Sequence, residues 1–178
     1  DFVRGGKRCF DTIAALSAQI ADMTPSPWRS ITSAGGTYAS GIQSHTTTGS
    51  SSSNAEVMVR YQKYAVTLNN PGMTQHAFYK VHLKGCVRRS DNQNLSSDTL
   101  LFTLPSLYRP QKTAQCVAAA DASASVYHSS MCHVTFEKDG ECFFRRKLTS
   151  GGNPDPSVNQ IWLDDVHFWT DNDSAVTW

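Results

Sequence analysis

After Ala55 the chain is built from short segments in which apolar and polar residues alternate, each closed by turn residues, with no further helical pattern among them. In "HAFYKVHLKGCVRR", Tyr79, Val81, Leu83, Gly85 and Val87 fall on one face, and Lys80, His82, Lys84 and Cys86 on the other. A period of two is the signature of a half-buried strand. "AEVMVRYQKYAVTL" places Val57, Val59 and Tyr61 together and ends at "NNPG". "TLLFTL", "TAQCVAAA" and "ASVYHSS" are further strand candidates, and "MCHVTFEKDGECFFRRKL" reads as a hairpin turning at Asp139-Gly140. "QIWLDDVHFWT" reads as one closing strand, with Trp162, Asp164, Val166 and Phe168 opposite Ile161, Leu163, Asp165, His167 and Trp169. Many short strands at regular spacing predict an all-β fold, an antiparallel β-sandwich or jelly roll, over residues 28–178.

Between two of these strands lies "LFTLPSLYRP". Leu101, Phe102 and Leu104 finish a strand, and Pro105 ends its ladder because it has no amide hydrogen to donate. Ser106 and Leu107 make the turn, Tyr108 packs back, and Pro110 sets the exit. Residues 30–53 are dominated by Ser, Thr and Gly, including "SHTTTGSSSS", and read as a loop or weakly specified strands. Trp28, just before them, is expected to be core packing.

One segment has helical character. "FDTIAALSAQIADM" begins with a capping aspartate, Asp11, and is stopped by Pro25 and Pro27. Ile13, Leu16, Ile20 and Met23 follow the three-four-three spacing of a coiled-coil seam. Two heptads are too few to stand alone, so this segment is expected either to pack on the domain as one amphipathic helix or, as residues 1–27, to be a short trimerising stalk, the end of a longer one. Continuing the heptad backwards puts Cys9 on the same seam, where thiols of neighbouring chains meet. The chain opens at Asp1 rather than methionine, so a processed form or an excised fragment is expected.

With a net charge of +1 over 178 residues, the composition makes no case for nucleic acid, and no apolar stretch is long enough for membrane insertion. Cys9, Cys86, Cys116, Cys132 and Cys142 show no zinc spacing, so neither a metal nor a cofactor is expected. The last four permit two disulfides in three connectivities. Paired, they place the chain in an oxidising compartment, whereas free thiols fit cytoplasmic assembly. No histidine pair has the helical spacing of a metalloprotease, and neither GxSxG nor a phosphate-cradling loop is present. Asp164 and Asp165, as strand neighbours, point to opposite faces and cannot share a proton as a catalytic dyad. The sequence reads as that of a non-enzyme. What remains is surface chemistry, since aromatic rings on β-sandwich loops stack on sugars while nearby polar groups take hydroxyls. Tyr108, Arg109, Tyr127, His128 and Trp169 are the candidate ligand-binding residues, with Trp178 beside them.

In order along the chain, "FYKVHLKGCV" (78–87), "TLPSLYRP" (103–110), "CVAAA" (116–120), the Asp139-Gly140 hairpin and "IWLDDVHFW" (161–169) form a series. The series resembles the C-terminal receptor-binding heads of phage and viral tail fibres and tailspikes, and it spans roughly Trp28 to Trp169. Those heads carry "V-x-L-x-G-x-V", "LP-x-G-Y-R-P" and a closing "W-x-x-L-D-G-I-x-F". Leu107 and Asp165 stand where they have glycine, so the local turns are expected to differ. The cysteines fit a eukaryotic virus fibre or a secreted protein better than a phage fibre. The resemblance implies a homotrimeric head at the tip of a stalk, on a virion surface or otherwise extracellular, attaching to a cell-surface receptor with a glycan as one candidate. The alternative is a structural module that caps an extracellular filament and serves assembly.

Overall fold

A computed structural model describes residues 7, 10–15, 17, 24–45, 56–66, 76–121, 130–148 and 158–170. Residues 7, 10–15 and 17 are helical, and the rest is largely antiparallel strand, turn and irregular connection. One sheet has four strands in the order β1 (Arg29–Ser30), β4 (Met58–Val66), β5 (His76–Lys84) and β12 (His167–Thr170). The other runs β2 (Thr37–Tyr38), β7 (Thr99–Thr103), β10 (Glu141–Leu148), β9 (Ser130–Phe136), β8 (Ala114–Asp121), β11 (Gln160–Trp162), β6 (Cys86–Arg89), β3 (Ile42–Ser44). The all-β expectation holds.

Both sheets turn one face to a shared core. Val57, Val59, Tyr79, Val81, Leu83 and Phe168 come from the smaller sheet and its flanks, and Leu101, Phe102, Val134, Phe136, Phe144 and Ile161 from the larger. Phe136 and Phe168 meet across the core at 4.8 Å between ring centroids. The Ser/Thr/Gly region is organised as far as it is described. β1 pairs with β4, β2 with β7 and β3 with β6. "NNPG" and most of "ASVYHSS" lie outside the described residues.

One corner joins the two sheets. β5 leads through Gly85 directly into β6, so one continuous stretch of chain belongs to the small sheet before Gly85 and to the large sheet after it. Gly85 has φ 101, a conformation open to glycine and strained for other residues. The bend corrects the simple alternation, since Cys86, expected on the polar face, is fully buried beside Val87.

The closing segment makes the same crossing and is two strands, not one. β11 belongs to the large sheet and β12 to the small, and the turn between them carries Asp164 and Asp165. Leu163 and Val166 are both buried, which a single alternating strand does not allow. The turn is pinned to Gly85: Leu163 N–H donates to Gly85 O (2.8 Å), Gly85 N–H to Asp164 Oδ1 (3.0 Å), and Leu83 N–H to Val166 O (2.9 Å). Asp165 has φ 65. An aspartate therefore takes the left-handed conformation usual for a glycine, which its short polar side chain tolerates.

Candidate functional site

The outer face of the four-stranded sheet gathers residues that sequence order keeps apart. β4 and β5 align Arg60 with His82 and Gln62 with Lys80, while β12 sets His167 opposite His82 and Trp169 opposite Lys80. Because side chains alternate, burying Val59, Val81, Leu83 and Phe168 sends Arg60, His82, Lys80, Lys84, His167 and Trp169 to the other face. The four strands contain no Asp or Glu at all.

Aromatic rings and cations interleave there. The Arg60 guanidinium carbon lies 4.5 Å and the Lys84 ammonium 4.6 Å from the centre of the Trp28 ring. Trp28 therefore sits half-buried against this face and not in the core, a correction to the expected core packing; its π face is attractive to both cations. Lys80 Nζ lies 5.9 Å from the Trp169 ring, and Tyr64 packs against the same indole edgewise at 5.2 Å. Trp169 remains 52 % exposed. His82 and His167 stand 5.9 Å apart. The His82 pKa is lowered, first by burial and then by the charges of Lys80, Arg60 and His167, with Asp165 acting in the opposite sense.

Carboxylates neutralise cations elsewhere. Arg89 pairs with Asp91 at 2.6 Å, and Arg145 with Asp98 and Glu137 at 3.0 and 2.7 Å. Among the described residues no ion pair reaches Arg60, Lys80 or Lys84. Arg60 Nε and His82 Nε2 are enclosed with no hydrogen-bond partner among the described residues. The outer face of the large sheet differs, exposing the apolar side chains of Val117 and Met131.

Of the residues singled out in the sequence, Trp169 lies on the basic face. Tyr108 and Arg109 lie in the turn after β7, where residues Ser106–Tyr108 form one 3-10 turn. The Tyr108 ring is 3 % exposed and 5.9 Å from Tyr61, and burial raises its phenol pKa. Arg109 Nε donates to Leu104 O at 3.0 Å and lies over the hairpin turn at Gly140. Tyr108 thus fills the core, and Arg109 ties its loop together. Tyr127, His128, Trp178, Cys9, Leu16, Ile20 and Met23 lie outside the described residues. Ile13 is helical and 53 % exposed. Sequence reading missed Arg60, His82, Lys80 and Lys84 as a group, although the absence of acids from "MVRYQKYAV" and "HAFYKVHLK" was available as a signal.

Cys86, Cys116, Cys132 and Cys142 are free thiols, so the two possible disulfides are not formed. Burial pushes the Cys86 and Cys132 pKa values up to about 12 and holds that of Cys142 well above the ordinary thiol value. Among the described residues no group of three or more His, Cys, Asp or Glu is placed to hold a metal ion, and no helix is long and apolar enough to cross a membrane.

No family model matches the chain, and no curated protein does. Among solved structures, the fold is similar to the crystal structure of the receptor binding protein (gp15) of Listeria phage PSA. The TM-score is 0.53 at 15 % identity, over 94 % of this chain and 79 % of that one.

Proposed function

We propose that this chain is a non-enzymatic receptor-binding head, a homotrimer that attaches a fibre to a cell surface from a virion or another extracellular particle. The observation that carries the reading is the fold likeness to a phage receptor binding protein across 94 % of the chain. The interleaved rings and cations outside the four-stranded sheet support it, because stacking faces beside polar donors are what sugar recognition needs. Residues 1–27 act as the stalk, with Ile13, Leu16, Ile20 and Met23 on the seam of three helices, Cys9 between chains, and residues 28–178 as the head.

The test is binding of the labelled full chain to intact cells from a broad panel, read by flow cytometry alongside a glycan array. Saturable binding to a subset of cells, competed by unlabelled protein, is expected. A protein that assembles into trimers yet binds no cell and no glycan is instead the cap of a filament.

A further inference from the structure

We infer that the outer face of the four-stranded sheet is a binding site for a polyanionic glycan, a sugar chain bearing phosphate, sulfate or carboxylate groups. The inference deepens the receptor-binding reading by assigning it a surface and a ligand class. A chain with a net charge of only +1 keeps Arg60, Lys80 and Lys84 together on a face whose strands hold no acid. Like charges left unneutralised cost stability, and a bound anion removes that cost. Among the described residues, the groups set against these cations are the Trp28 and Trp169 rings.

Shape argues for a glycan over a single ion. Lys80 and Lys84 are four residues apart on one strand, so the cations span about 13 Å at ordinary strand rise. Such a length suits a run of charged sugars. At one end Trp169 holds its ring 52 % exposed beside Lys80, with Tyr64 bracing it, which provides a stacking platform next to a positive charge. A duplex nucleic acid would use the cations without needing the exposed indole; an anionic membrane could use both, and a vesicle probe separates it from a glycan.

The closing experiment measures binding of the full chain to immobilised heparin, polygalacturonate and neutral dextran, with duplex DNA and anionic lipid vesicles as further probes. We expect binding to one or both charged glycans and none to dextran, with affinity falling at least tenfold between 50 and 500 mM salt as screening demands. Lys80→Gln/Lys84→Gln should weaken it at least tenfold. Trp169→Ala should weaken it about fivefold or more, a loss of the size expected for one stacked ring. Both variants replace side chains on the outer face, and circular dichroism with a melting curve checks that each is folded; Lys80→Gln alone serves if the double variant is not. Glycan binding insensitive to these substitutions, DNA or vesicles bound as tightly as the glycans, or no binding to either charged glycan overturns the inference. Cell attachment that survives both variants leaves the receptor-binding reading standing and removes this face from it. Charged-glycan binding without any cell attachment does the reverse.

Discussion

Gly85 sits where the chain changes sheets, and its φ of 101 decides what the position tolerates. Replacing it with alanine forces a Cβ into the left-handed half of backbone space, at a cost of about 1–2 kcal/mol. Gly85→Ala should therefore lower the urea midpoint by the corresponding amount with an unchanged m-value; an unchanged midpoint would show that the corner relaxes freely. The cysteines give a second residue-scale expectation. Burial raises the pKa of all four thiols, but by a large margin for the buried Cys86, Cys132 and Cys142 and less for the half-buried Cys116. The thiolate is the reactive form, so alkylation of the native chain at pH 8, mapped by mass spectrometry, should modify Cys116 before these three. Modification of Cys142 at the Cys116 rate would contradict this placement. Counting cysteines left pairing open, because pairing depends on distances between strands that no spacing along the chain reveals.

At the scale of elements, alternation was readable wherever a strand stayed in one sheet. Tyr79, Val81 and Leu83 are buried as the period of two requires, and Asp139-Gly140 makes its hairpin. Reading failed at Gly85 and at Leu163-Asp164-Asp165-Val166, for the same reason in both places. A strand that crosses between sheets resets its phase, and the residues fixing the new phase are partners distant in sequence. Asp164 is such a partner. Removing its carboxylate by Asp164→Ala takes the acceptor from Gly85 N–H and should cost about 1–2 kcal/mol, a charge-assisted bond at a partly exposed site. Equal melting temperatures for variant and parent would mean that water replaces it fully.

The β4–β5–β12 face also carries a pH dependence whose sign follows from its crowding. His82 has a lowered pKa in the folded chain, so the unfolded chain binds its proton more tightly. Its contribution to stability is then complete above the ordinary imidazole range and declines as pH falls through it. The urea midpoint should drop between pH 8 and 5, and His82→Gln should flatten that slope relative to the parent. His45, whose pKa is also lowered by burial and by Arg88, remains in both proteins and cancels in the difference. Parallel slopes would assign the titration elsewhere.

At the scale of the whole molecule, the all-β class was legible from strand spacing, but the basic face was not. Net charge averages over a molecule, and only the register that sets Arg60, His82 and His167 side by side turns scattered residues into one surface. The expectation that Tyr108 packs back holds, since the turn after β7 folds its ring onto Tyr61. Assembly belongs to this scale too. The proposed seam of Ile13, Leu16, Ile20 and Met23 is too short to hold helices together alone, so the proposed trimer needs the heads to add contacts or Cys9 to link the chains. Light scattering of the full chain should give three times the chain mass both with and without reductant, and Leu16→Asp/Ile20→Asp should return it to a single chain with the β-sheet circular dichroism intact. A trimer that survives that double substitution is held by the heads. A covalent ladder on a non-reducing gel that disappears in Cys9→Ser places the linkage on the seam. A parent protein that is monomeric in both conditions removes the stalk from the account and leaves a single β head, whose attachment to a surface must then come from the strength of one site and not from three acting together.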